Sequence, residues 1–223
     1  MSAWQAKTKN APAAELSRRF DMPNWCYTSL SVTGSAARVA EFVEFAKSKT
    51  NDSVLSFENF VPMPPTLQTN AGSDGDIGFA AFHSETEWQV YLTYPWAKDH
   101  NIHDRKSLQD YVEKHRPEAK AQGQIYADNL AQHGAKHWYD WSITHWETKW
   151  DACRTTLEHH EDGEAVINFE TAWSPAMPVL LAMSVKFPDL TFECSFHEEA
   201  GFFKFEATWE GGEQTSQVDL PAD

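Results

Sequence analysis

The sequence predicts an α+β protein: a ferredoxin-like antiparallel sheet with helices on one face and a helical, Trp-rich insertion. Three observations carry this expectation. Residues 26–33 alternate between apolar and polar side chains and run straight into an amphipathic helical pattern. Residues 165–209 read as strand, apolar helix, then two alternating strands, which is half of a ferredoxin-like sandwich. Two windows, 137–151 and 171–178, hold five of the ten tryptophans. A tryptophan must bury a large area and still satisfy its N–H, so such density marks an architecture.

Each element follows from its local pattern. In residues 26–33, Cys26, Thr28, Leu30 and Val32 share one face, as in a half-buried strand. Gly34-Ser35 opens a helix with Ser35 as N-cap, and Val39, Phe42, Val43 and Ala46 form its apolar stripe. Residues 54–61 read as a second strand, ended by Pro62-Met63-Pro64-Pro65. Residues 69–78 read as a loop and 88–94 as another strand. Residues 104–134 are polar and helical, interrupted by Pro117.

Residues 137–150 read as one helix with a wide apolar arc. Trp138, Trp141 and His145 form one stripe, and Tyr139, Ile143, Trp146 and Trp150 the adjacent one. Trp138, Trp141, Trp146, Trp150 and Trp173 are expected in the core. Ile167, Phe169, Thr171 and Trp173 point inward from the next strand. Ser174-Pro175 caps the following helix, and Pro178 blurs its start. That helix is apolar nearly all round over 179–187 and is expected to be covered. Strands with Leu190, Phe192, Cys194 and Phe196, then Phe203, Phe205, Ala207 and Trp209, complete the sheet.

The expected organisation is a disordered leader over 1–21 and a first βαβ half over 22–62. A loop and helical insertion follows over 63–160, then a C-terminal ferredoxin-like half over 161–220, all in one compact unit. The leader lacks the hydrophobic stretch of a signal peptide. Across the chain, no apolar run approaches the ~18–20 residues of a membrane span. Three scattered cysteines suit a reducing cytoplasm better than a disulfide framework.

Charge is uneven. Of the net −15, residues 157–223 carry −12, with 14 acids against Lys186 and Lys204. That half repels phosphate backbones and suits either solubility or a basic partner.

Four motifs in this order resemble a known family: Met22-Pro23-Asn24-Trp25-Cys26-Tyr27, Phe60-Val61-Pro62-Met63-Pro64, the 137–151 run, and Thr171-Ala172-Trp173-Ser174-Pro175-Ala176-Met177-Pro178. They are similar to the YubB-type, Api-like proteins of phages and conjugative plasmids, over roughly residues 22–210. The resemblance implies a C-terminal ferredoxin-like domain and a mobile-element origin, with no activity or catalytic residues to carry over. The family usually has glycine where this chain has Glu147.

No nucleophile elbow, Walker loop or dinucleotide fingerprint is present. Cys26 and Cys194 fall on inward strand positions and read as core. His133 and His137 stand at helical ligand spacing, but Gly134 between them ends the helix, and no metal or other cofactor is expected. Asp74-Gly75-Asp76 reads as a solvated loop. Gly201-Phe202-Phe203-Lys204-Phe205 hints at an RNA-binding signature whose register fails. The open sheet face would carry Glu170, Glu193, Glu206 and His197, with Lys204 and Phe202.

Glu170, Glu193, Glu206 and the loop residue Trp96 are therefore the candidate partner-binding residues. The leading expectation is a non-enzymatic, cytoplasmic accessory protein of a phage or plasmid. It would bind a host or phage protein with a basic surface, and so inhibit a host defence system. One alternative is nucleic-acid binding through the insertion, with Lys98, Arg105, Lys106, Lys114, Arg116 and Lys120. The other is a metal- or Cys-dependent enzyme.

Overall fold

Every second residue of β1 (Trp25–Thr33) from Cys26 to Val32 is buried, while Tyr27, Ser29 and Ser31 face away. A computed structural model describes residues 24–221; the expected leader over 1–21 lies outside them. After β1 come α1 (Ala36–Ala46), α2 (Ser73–Phe82), α3 (Trp88–Tyr91), α4 (Pro95–Asp99), α5 (Arg105–His115), α6 (Pro117–His133) and α7 (Trp138–His145). Then follow β2 (Cys153–Glu161), β3 (Glu164–Ala172), α8 (Met177–Lys186), β4 (Thr191–Glu198), β5 (Lys204–Glu210) and β6 (Glu213–Asp219).

The strands form one six-stranded sheet of order β2-β3-β1-β4-β5-β6. Every pairing is antiparallel. Strands β1 to β4 with α1 and α8 give the βαββαβ order of a ferredoxin-like fold, and β5–β6 extends it beyond β4. Phe42 of α1 meets inward Phe192 of β4 edge-on at 5.3 Å. Val179, Leu180 and Met183 of α8 are buried as well. The Asp162-Gly163 turn joins β2 to β3 with both residues at positive φ, 49° and 86°, as a tight hairpin requires.

The chain divides into two compact units rather than the one expected. The sheet unit comprises described residues 24–60 and 147–221, and the helical unit is Val61–Trp146. The helical unit is separate because it has its own core of Ile77, Ala81, Ala97, Ile102, Leu108, Val112 and Ala119. Within it, α2 and α6 touch backbone to backbone. A Cβ on Gly78 would lie 1.8 Å from the Ala119 carbonyl oxygen.

Several expectations are corrected. Residues 54–61 are not a strand but a loop with a 3-10 turn at Phe57–Asn59. Side chains satisfy its backbone where a ladder would have: Asp151 accepts from Phe57 N at 2.6 Å. Asn59 Nδ2 donates to the carbonyls of Phe45, Ala46 and Lys47 at the end of α1. Residues 88–91 are helical (α3) and 92–94 turn, the helix led in by Ser84 Oγ, which accepts from Glu87 N at 3.1 Å. The loop expected over 69–78 holds the start of α2, because its glycines serve helix packing rather than a turn. The insertion ends at Trp146 rather than 160, because 153–161 forms edge strand β2. α8 begins at Met177, not after Ser174-Pro175. It leaves Leu181 and Val185 exposed, so it is not covered all round.

The tryptophan helix is shorter than expected. α7 stops at His145, Trp146 is its C-cap, and Glu147 turns the chain at φ 61°. Trp141 and Trp146 are buried, at 4% and 3% exposure. Trp141 stacks on His145 at 4.3 Å, and Trp146 Nε1 donates to the Val61 carbonyl at 2.9 Å. Trp138 and Trp150 are only half-buried. Trp173 is not core: it is 37% exposed. Strand β3 ends at Ala172, and a φ of 74° at Trp173 breaks the alternation that would have turned its ring inward.

Candidate functional site

The outward face of the sheet carries no helix of the sheet unit, and its residues form rows set by the strand registers. One row runs Val166, Ser31, Glu193, Thr208 and Ser216. The next runs Asn168, Ser29, Ser195, Glu206 and Val218. The third runs Glu170, Tyr27, His197 and Lys204, with Tyr27 stacked on His197 at 4.7 Å. Glu170, Glu193 and Glu206 therefore share one face. Glu164 and Glu210 join them, opposite Thr33 and Thr191 respectively. Glu210 is visible in the sequence as Glu206 plus four along one strand; Glu164 needs the β1–β3 register.

The three expected glutamates are not equivalent. Glu170 is ion-paired with Arg154, whose guanidinium also lies 4.7 Å from the Trp25 ring centroid. Glu193 and Glu206 are exposed. Small hydroxyl residues lie between them: Ser29, Ser31, Ser195 and Thr208. This is an acidic, hydroxyl-rich face of the sheet.

The remaining chemistry of the sheet unit is subdued. Burial raises the Cys26 thiol to about 11, only partly offset by the nearby Thr171 and Thr28 hydroxyls. Burial pushes Cys194 well up too, and raises Cys153. A raised thiol is a poor thiolate nucleophile at neutral pH. Among the described residues, no group of three or more His, Cys, Asp or Glu side chains converges as metal ligands. His133 ends α6 and lies 3.0 Å from the Thr66 hydroxyl. His137 begins α7 and accepts from Asp140 N.

Trp96, the fourth candidate, lies in the helical unit. It lines a cavity of about 540 Å³ with Tyr91, Tyr94, Tyr111, Asp76 and Arg116. Burial and the neighbouring Asp76 carboxylate push the Tyr91 phenol up to about 12. Arg116 is ion-paired with Asp74 and donates to Ser73 Oγ at 2.9 Å. The basic residues of this unit are largely engaged: Lys106 with Asp110, Lys120 with Glu113, and Arg105 with the Ala81 carbonyl. That leaves little of the basic stripe expected for a nucleic-acid reader.

With this geometry in hand, the comparison with known families can be placed. Residues 145–222 match the family model of the ferredoxin-like domain in Api92-like protein. The matched stretch of this ferredoxin-like domain holds β2 to β6 and α8, while β1, the remaining strand of the sheet, and α1 precede it. The Api-like resemblance seen in the sequence is thus met over this domain. A crystal structure of protein Api92 from Yersinia pseudotuberculosis is similar at 9% sequence identity, with a TM-score of 0.47. It covers 91% of this chain and 99% of its own. No curated protein matches the chain. No described helix is long and apolar enough to cross a membrane.

Proposed function

We propose that this chain is a non-enzymatic accessory protein of a phage or plasmid, YubB-like in type, acting in the cytoplasm of its bacterial host. It works by binding another protein that presents a basic surface, such as a nucleic-acid groove of a defence component. The observation that carries the reading is the open sheet face, where Glu164, Glu170, Glu193, Glu206 and Glu210 stand against Lys204 and Arg154. Complementary charge speeds encounter with a basic patch, and carboxylates spread over several strands suit a protein surface. The buried, raised thiols also favour binding over covalent chemistry.

The test is capture from host lysate with nuclease added. Wild type is compared with a Glu193→Lys/Glu206→Lys variant. Glu170 is left alone because reversing it would break its ion pair with Arg154. The expected result is a protein partner retained by wild type, lost in the variant and lost as salt rises above about 0.15 M, where the Debye length falls below ~8 Å. Equal capture by both chains, or capture abolished by nuclease, overturns the reading.

A further inference from the structure

Four aromatic rings line the cavity of the helical unit. Tyr91 stands at 64° to Tyr94 and at 65° to Trp96, with centroids 5.9 and 6.4 Å apart. Trp96 meets Tyr111 of α5 at 5.3 Å. Tyr94 and Trp96 are nearly parallel, at 14° and 6.3 Å, so Tyr91 turns across a stacked pair and the π-faces point in more than one direction around one space. Each face carries the negative end of a quadrupole. None of the three phenol hydroxyls, nor the Trp96 indole N–H, has a hydrogen-bond partner among the described residues.

Elsewhere the chain places its own cations over its rings. Lys186 lies over Phe45 at 4.2 Å, Lys136 over Phe79 at 4.2 Å, Lys120 over Phe82 at 4.9 Å and Lys149 over Trp150 at 4.6 Å. Among the described residues, no lysine or arginine lies over Tyr91, Tyr94, Trp96 or Tyr111. The one cation at the cavity, Arg116, is held by Asp74. Asp76, also at the cavity, has no ion-pair partner among the described residues. Arg116, Asp74 and Asp76 sum to one negative charge beside four rings that no described lysine or arginine covers, with the His100 and His115 rings packed on Tyr111 at 4.8 and 5.0 Å.

We propose that this cavity binds an organic cation, an alkylammonium group with N-methylation favoured, held by the faces of Tyr91, Tyr94, Trp96 and Tyr111 and by the Asp76 carboxylate. A methylated ammonium is weakly hydrated and keeps its charge, so it gains from ring faces without a large desolvation cost. A phosphate or carboxylate is disfavoured by the net negative charge. The site lies in the other unit from the acidic sheet face and stands whether or not that face binds a protein.

The test is calorimetric titration of the full chain at low salt with choline and with its neutral isostere, 3,3-dimethylbutan-1-ol. Choline should bind about tenfold more tightly than the isostere, the size of a partly desolvated cation–π contribution. Asp76→Asn and Trp96→Leu should each weaken choline about fivefold or more. Trp96 packs on the unit's core, so its variant is read only if its melt is unchanged. Asp76 is exposed, and Asp76→Asn decides the matter otherwise. A peptide bearing trimethyl-lysine that binds more tightly than choline assigns the cation to a protein side chain, and equal binding assigns it to a free small molecule. Absence of choline binding, equal binding of the isostere, or an unchanged affinity in Asp76→Asn overturns the proposal.

Discussion

Gly78 and Gly123 meet directly where α2 crosses α6: a Cβ on Gly123 would lie 2.3 Å from the carbonyl carbon of Gly78. The two helices can approach this closely only because neither residue has a side chain. In an ordinary helix interior, Gly→Ala stabilises by about 1 kcal/mol. Here the sign should reverse, because backbone cannot move aside as a flexible side chain does. Gly123→Ala should destabilise the helical unit by about 1–3 kcal/mol or more, the usual cost of overpacking. Urea unfolding followed by circular dichroism checks this, and a stabilised variant would refute the close contact.

Glu147 offers the opposite case. It holds φ at 61°, a left-handed conformation that costs a residue with a side chain ~1–2 kcal/mol. The family that this chain resembles usually has glycine there. Glu147→Gly should remove that strain, less the entropy of a freer unfolded chain, for a net gain of up to about 1 kcal/mol. A measured loss of stability would mean that the exposed glutamate makes a contact worth more than the strain.

These two positions show what was legible in the sequence. The inward alternation of β1, β3, β4 and β5 was visible because one face of each is buried and the side-chain period is two. The acidic face followed from the same parity. Edge strands β2 and β6 were not visible: β6 is exposed throughout, so no alternation marks it. The glycines of α2 look like loop residues until the partner helix is known. Arg154 could not be paired with Glu170 by sequence alone, because a bulge between Cys153 and Thr156 shifts the register. Tyr91, Tyr94 and Trp96 lie close in sequence, but Tyr111 reaches the same cavity only through the fold of α5.

Tryptophan truncations should separate by burial. Trp146 is buried and hydrogen-bonded to the Val61 carbonyl, so Trp146→Ala should cost ~3–5 kcal/mol. Trp173→Ala, at an exposed ring, should cost under about 1 kcal/mol. Chemical denaturation of the two variants side by side makes the comparison. Equal costs would contradict the outward placement of Trp173.

Asp151 gives stability a pH dependence of its own. Burial raises its carboxyl above the ordinary aspartate value, against hydrogen bonds from Phe57 N, Ser56 Oγ and Ala152 N. A raised acid binds its proton more tightly when folded than when unfolded. Its contribution is therefore fully present below the unfolded value and is lost as pH rises through the folded one. Asp151→Asn keeps the shape and removes that titration. Relative to the variant, wild type should lose stability as pH rises from the ordinary aspartate value, about 4, through the raised folded value. Melting curves of both proteins at a series of pH values from that point upward measure it, and parallel curves would contradict the shift.

The position of β1 also sets an order of events during synthesis. Its two neighbours in the sheet, β3 and β4, start at Glu164 and Thr191, far downstream of Trp25–Thr33. The helical unit, Val61–Trp146, is contiguous and leaves the ribosome whole before either neighbour does. At ~5–20 residues per second, β1 waits roughly 10–30 s with both hydrogen-bonding edges unpaired. Through that interval it is an alternating apolar strand open to chaperones and to other nascent chains. Proteolysis of ribosome-stalled chains should find the helical unit protected first, and β1 only once β4 has emerged.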